Sequence, residues 1–123
     1  MKVLELNHVA LHVTDLKASV DFYERVLRLE PMPRPPFDFP GAWFRFGAHQ
    51  ELHLIADRGS PLSSSHRGNH FALMVDDIEA WQNHLQRAGA EVAPKKRRPD
   101  GAWQLFLRDP DMHVIELFTP PAP

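Results

Sequence analysis

The stretch NHVALHVTDLKASVDFYERVL, residues 7–27, returns as NHFALMVDDIEAWQNHLQRAG at 69–89. At a fixed offset of 62, Asn7, His8, Ala10, Leu11, Val13, Asp15, Ala18 and Arg25 face identical residues. Two further echoes follow in the same order: GAWFRF at 41–46 with GAWQLF at 101–106, and ELHLI at 51–55 with VIELF at 114–118. Ordered self-similarity of this kind marks a repeated supersecondary unit, so the chain reads as a duplicated module.

Each copy has the same internal order. Residues 6–13 and 70–75 alternate Val, Leu and Phe with other residues, the period of a strand. Thr14 or Asp15, and Asp76 or Asp77, are placed to cap a following helix. The first helix is expected over 17–28, with Val20, Tyr23, Val26 and Leu27 at helical spacing. The second carries Ile78, Trp81, Leu85 and Ala88 on one stripe and stops at Gly89. Three extended segments follow each helix, near 30–33, 42–47 and 51–56, and near 91–94, 102–108 and 113–118. The expectation is an α+β fold of two βαβββ modules whose curved mixed sheets surround a cleft. One domain, 1–123, then comprises module 1 (about 1–56), a Ser/Gly/Pro connector at 57–68 and module 2 (about 69–118). The proline-rich run 31–41 reads as a stiff irregular loop, and 119–123 as a frayed tail.

At 123 residues the chain is long enough to bury a real core. A net charge of -2 gives no electrostatic case for nucleic acid or an anionic membrane, and KKRR at 95–98 reads as a solvated loop. No apolar run is long enough to span a bilayer, and the N-terminus lacks the apolar core of a signal peptide. Cysteine is absent, which excludes disulfides and thiolate metal sites. A cytoplasmic location is the expectation.

Strand alternation then assigns faces. Val9, Leu11 and Val13 share one face of the first strand, and His8, Ala10 and His12 share the other. In its twin His70, Ala72 and Met74 face away from the helix; on the later strands Glu51, His53 and Ile55 share a face, as do Val114, Glu116 and Phe118. If both sheets curve around one cleft, His8, His53, His70 and Glu116 converge. Three neutral imidazoles and a carboxylate suit a borderline divalent ion: zinc, iron(II), nickel, cobalt or manganese. Trp43, Arg45 and Trp103, near the strand rims, are candidate substrate walls, against plainer roles as core aromatics and a surface cation.

NHVALHVTDLKASVDFYERVL, NHFALMVDD and DPDMHVIELF together resemble the vicinal oxygen chelate superfamily of glyoxalases, bleomycin resistance proteins and dioxygenases, from Leu6 to Phe118. The resemblance implies that His8, His70 and Glu116 are metal ligands and that His53 is the fourth. It implies a metal-dependent lyase or isomerase of the glyoxalase type, with Glu116 as both ligand and proton-transfer base. An iron(II) extradiol-type dioxygenase, a fosfomycin-type thiol transferase and a non-catalytic drug-binding protein are the alternatives. Bleomycin-binding members lack the metal set that is present here. It further implies a small-molecule substrate and a homodimer.

The chain departs from the family pattern in places. His12 stands where glyoxalase I has a glutathione-binding Arg, which makes His12 a candidate substrate contact, and His53 replaces a carboxylate. The thiol transferases generally carry a C-terminal extension with basic residues for the phosphonate, which the residues up to Pro123 do not include. Met112 replaces the Gly of the usual DPDG turn, so that turn is expected to be remodelled.

Overall fold

The computed structural model describes every residue except Arg58 and Ser60, and it divides into two compact units, Met1–Ser60 and Pro61–Pro123. Those two residues of the expected connector lie outside the described set. From Pro61 onward the connector belongs to the second unit.

The first unit runs β1 (His8–His12), α1 (Leu16–Asp21), β2 (Glu30–Met32), β3 (Gly41–Phe46) and β4 (Gln50–Ile55). Its sheet order is β1-β4-β3-β2, with β1 parallel to β4 and the other neighbours antiparallel. Asp15 starts the helix by accepting the Ala18 amide at 3.1 Å, satisfying an otherwise orphaned donor. The helix does not continue to 28 in one form; over Phe22–Val26 it widens into a π-helical turn, closed by Leu27 N–H donating to the Phe22 carbonyl at 3.1 Å. Phe22, Tyr23, Val26 and Leu27 are all buried, so the wide turn delivers two adjacent pairs to the core. Phe44, Leu52 and Leu54 close that core from the sheet.

The second unit repeats the plan: β5 (Phe71–Met74), α2 (Ile78–Arg87), β6 (Lys96–Arg97), β7 (Trp103–Arg108) and β8 (Val114–Thr119), in the order β5-β8-β7-β6. Here Asp77 accepts two amides, from Glu79 at 3.1 Å and Ala80 at 3.0 Å. Gly89, at φ 77°, ends the helical segment in the left-handed conformation that a residue without Cβ adopts freely. Ile78 and Leu85 pack from the helix on Leu105, Leu107, Ile115 and Leu117. Each unit thus has one helix on one face of a four-stranded mixed sheet, which leaves the opposite face to carry function.

Three expectations need correction. The strand expected at 91–94 reduces to a single bridge from Val92 to Leu107, because Pro94 has no N–H to give to a ladder. The pairing shifts to Lys96 and Arg97, so KKRR is not a free loop. The Met112 turn is not remodelled either. Met112 keeps the left-handed backbone, at φ 73°, while the Asp109 carboxylate accepts the amides of Asp111 and His113.

The third correction concerns the GAW echo. In register, His53 faces Trp43 and Glu116 faces Phe106, so the structural offset between the modules' last two strands is 63. The sequence echo matches Trp43 to Trp103 at an offset of 60. A shift by an odd number of residues turns a strand over, which puts the two tryptophans on opposite faces.

Candidate functional site

In the first unit, alternation along β1, β4 and β3 sets His8, His53 and Trp43 on the face away from the helix. Leu52 and Leu54 are fully buried on the other face. The three rings form a stack. Trp43 and His53 have centroids 3.8 Å apart at 4°, and His53 and His8 are 4.3 Å apart at 20°. His8 Nδ1 lies 2.8 Å from the Asn7 side-chain oxygen, which can only accept, so the ring donates from Nδ1 and leaves Nε2 bare. His53 is arranged the opposite way: its Nε2 donates to Glu51 at 2.8 Å. Arg45 is exposed between Glu30 and Glu51 in the cross-strand register, beside a cavity of about 200 Å³ lined by Met32, Arg45, Gln50 and Glu51. His12 stands at the far end of β1, where its Nε2 donates to the Ala56 carbonyl at 2.7 Å.

In the second unit the pair is His70 and Glu116, with His70 Nε2 4.0 Å from the carboxylate. His70 Nδ1 faces the backbone carbonyls of Ser65 and Gly68, both at 3.2 Å, so this ring too donates from Nδ1. Asn69 does not touch His70. It organises the chain before it: its amide donates to the Ser63 carbonyl, and its own carbonyl accepts from Ser64 Oγ and the Ser65 amide. Glu116 is buried and accepts from the Gln104 amide at 2.7 Å.

Phe106, the register partner of Glu116, forms a floor. His66 stacks on it at 4.3 Å, His70 meets it edge-on at 5.7 Å, and Lys96 Nζ hangs 5.1 Å from its centroid. Burial pushes His66 below its ordinary value, and the neighbouring Arg108, Lys96 and His70 push it the same way. Arg98 lies over Phe118 at 5.8 Å and pairs with Asp100. That hydrogen bond is the main reason the guanidinium is held above its ordinary value. The face that carries Glu116 is therefore rich in cations.

Among the sequence candidates, His8, His53, Trp43 and Arg45 share one face of the first unit, and His70 and Glu116 meet in the second. His12 is on the first unit's face but apart from the stack. Trp103 does not join Glu116: it pairs with Thr119, on the opposite face, beneath Lys95 Nζ at 4.4 Å. Its expected place as a substrate wall followed from its position near the strand rim, which alternation puts on the helix side of the sheet. Sequence reasoning missed Gln104, Phe106, His66, Lys96 and Arg108. The first two were legible in the alternation of β7 from Glu116's partner outward. His66 was not, because it sits in a connector with no periodicity.

Among the described residues, no three or more His, Asp or Glu side chains gather into a ready-made metal group; the second unit brings His70 and Glu116 together. The donors nonetheless fit a divalent ion. Glu116 is a buried carboxylate that accepts from the neutral Gln104 amide and lies 4.0 Å from His70, and a bound cation would offset the cost of burying its charge. His8 and His70 both have Nδ1 anchored and Nε2 available, the arrangement by which an outer partner orients a ligating imidazole.

Two four-stranded mixed sheets of this topology define a fold class, and comparison with known proteins agrees. The model of the Glyoxalase/Bleomycin resistance protein/Dioxygenase superfamily matches residues 5–117, and the chain belongs to that superfamily. The metallothiol transferase FosB of Bacillus licheniformis is 27% identical over 123 residues, covering 96% of this chain and 77% of that one. A putative glyoxalase family protein from Bacillus anthracis superposes with a TM-score of 0.82 at 23% identity, covering 98% of both chains. The fosfomycin resistance protein FosX of Listeria monocytogenes, as a mutant complexed with Mn(II) and 1S,2S-dihydroxypropylphosphonic acid, superposes at 0.80 with 19% identity, over 97% of this chain and 94% of that one.

Proposed function

We propose that the chain is a metal-dependent enzyme that transforms a small anionic substrate chelated through two neighbouring oxygens. His8, His70 and Glu116 are its metal ligands. The observation that carries this reading is the His70–Glu116 pair, a buried carboxylate beside an imidazole whose other nitrogen is anchored. The bound ion, of a kind that accepts nitrogen and oxygen donors, would supply Lewis-acid stabilisation of developing negative charge on the substrate oxygen. Gln104 holds the Glu116 carboxylate in place through one oxygen. Lys96, Arg98 and Arg108 attract the substrate's anionic group, and Phe106 with His66 excludes water from one side.

Two reactions of the superfamily remain in play within this reading. A glyoxalase-type lyase or isomerase needs a proton carrier on the substrate carbon, the role that Glu116 would take when displaced from the metal. Transfer of a thiol to a phosphonate-like substrate asks instead for a strongly cationic binding face. The cluster of Lys96, Arg98 and Arg108 favours this second reaction, as does the likeness to FosB. Because no three donors gather into one group among the described residues, a homodimer is part of the proposal.

The test is metal analysis of the purified protein, then assays of methylglyoxal with thiols, fosfomycin with thiols, and catechols. The expected result is one divalent ion per chain and thiol-dependent consumption of fosfomycin. Less than stoichiometric metal after reconstitution with zinc, nickel, manganese and iron(II) rejects the enzyme reading in favour of a binding protein. Turnover of the hemithioacetal alone returns the lyase reading to first place.

A further inference from the structure

His53 stands where the sequence places a fourth metal ligand, yet its surroundings differ from those of the two first-strand histidines. His8 and His70 are both anchored through Nδ1, with Nε2 left for an ion. His53 is anchored through Nε2, 2.8 Å from the Glu51 carboxylate, and both side chains are largely buried, at 13% and 24% exposure. A carboxylate only accepts, so Nε2 carries the proton and Nδ1 carries the lone pair. The ring is also fixed on both faces, by Trp43 at 3.8 Å and His8 at 4.3 Å. Turning it over to exchange its nitrogens costs both stacks and the hydrogen bond.

The stack also limits what His8 and His53 can do together. An imidazole binds a metal in its own ring plane, with nitrogen about 2 Å from the ion. The planes of His8 and His53 are 20° from parallel with centroids 4.3 Å apart, so they meet far beyond that reach. While the stack stands, the two rings do not serve one ion.

From this geometry we infer that Glu51 is a positioning residue that locks His53 as the Nε2–H tautomer. His53 then sits beside the metal rather than on it, and its bare Nδ1 accepts a hydrogen bond from a protic group of the substrate. The inference deepens the metal-enzyme reading above and rests on it for the word "beside". The second unit has no such device, since Val114 occupies the register position of Glu51.

Two-bond proton–nitrogen correlation spectra of the full chain, at a pH where imidazoles are neutral, read each tautomer directly. His53 is expected to show a protonated Nε2, and His8 and His70 the reverse. Glu51→Gln keeps an accepting oxygen and retains the His53 pattern, whereas Glu51→Ala lets both tautomers appear. On zinc titration, His8→Ala and His70→Ala should weaken binding on the order of a hundredfold or more. His53→Ala and Glu51→Ala should weaken it by no more than about tenfold, the low end of the loss from an outer partner. A His53 protonated at Nδ1, or a zinc affinity lost as fully in His53→Ala as in His8→Ala, overturns the assignment. If wild-type protein binds no zinc while His53 keeps its tautomer, the metal reading fails and the Glu51–His53 clamp stands.

Discussion

In the first unit the central strand β4 presents His53, gripped at one nitrogen by Glu51 and stacked between Trp43 and His8. In the second unit the equivalent strand β8 presents Glu116, held by a single amide and facing His70 across 4.0 Å. The backbone plan is the same, down to one parallel neighbour and two antiparallel ones. The difference lies in charge balance. The imidazole of the first unit has a carboxylate for its partner, whereas the carboxylate of the second accepts from a neutral amide with cations nearby. The two units keep one frame and differ in what the central strand presents, a clamped imidazole in one and a buried carboxylate in the other.

The sharpest way to break this comparison is to remove the buried carboxylate of the second unit. Glu116→Ala is expected to abolish stoichiometric binding of zinc or manganese, a loss on the order of a hundredfold or more, as measured by calorimetry. Glu116→Gln should do nearly as much, because it keeps the shape and removes the charge. Mixing His8→Ala chains with Glu116→Ala chains adds the question of sharing. Recovered metal binding in the mixture means that two copies complete one site; no recovery means that one copy does. If Glu116→Ala binds metal as well as the wild type, the second unit is not the metal-holding half.

How much of this was open to inspection in the sequence follows from the same contrast. The βαβββ order, the two helix caps and the side of each sheet away from its helix, with His8 and His53 in one unit and His70 and Glu116 in the other, all follow from periods of 2 and 3.6, which are local properties. Register is not local. GAW appears twice, and sequence likeness aligns Trp43 with Trp103, but hydrogen bonding aligns Trp43 with Phe106. The cations of KKRR illustrate the same limit. They read as a loop because their strand pairing and the rings they lie over, Trp103, Phe106 and Phe118, come from strands reached only through pairing. The wide turn at Phe22–Val26 also escaped, since a hydrophobic stripe fits an α-helix or a π-helical turn equally well.

The repeated Asn-His supports an effect of intermediate size. Asn7 touches His8 directly, whereas Asn69 acts on His70 by shaping the chain that offers it the Ser65 and Gly68 carbonyls. Asn7→Ala should weaken metal binding about tenfold, the usual loss when a ligand's orienting partner is removed. Asn69→Ala should weaken it less, because two backbone carbonyls remain to anchor the ring. It should instead raise amide exchange across 63–70. Equal losses in the two variants would mean that the two residues play one role after all.

The turns between the last two strands offer a smaller and cleaner contrast. Both contain a residue in the left-handed conformation, Gly47 at φ 60° in the first unit and Met112 at φ 73° in the second. Glycine adopts that backbone freely, and a residue with Cβ pays roughly 1 kcal/mol. Met112 is half exposed, so little packing is lost with its side chain. Met112→Gly should therefore stabilise the chain by about 1 kcal/mol, less the added entropy of the unfolded glycine, and Gly47→Ala should destabilise it by a similar amount. Urea denaturation midpoints read both. A destabilising Met112→Gly would show that the side chain contributes more than its exposure indicates.

The weakest expected effect concerns Asp100, at the turn between β6 and β7, where the first unit has the proline-rich loop instead. The Arg98 hydrogen bond is the largest of the causes that lower its carboxyl from 3.8 to about 2, with the Ala102 amide second. A carboxyl whose folded value is depressed stabilises the fold fully above its unfolded value and loses that contribution as pH falls toward the folded one. The denaturation midpoints of wild type and Asp100→Asn should therefore differ by a constant amount above about pH 4 and draw together as pH falls to about 2. Because the group is exposed, added salt should shrink the gap. A gap that persists unchanged at the acid end would show that the difference does not come from the charge on Asp100.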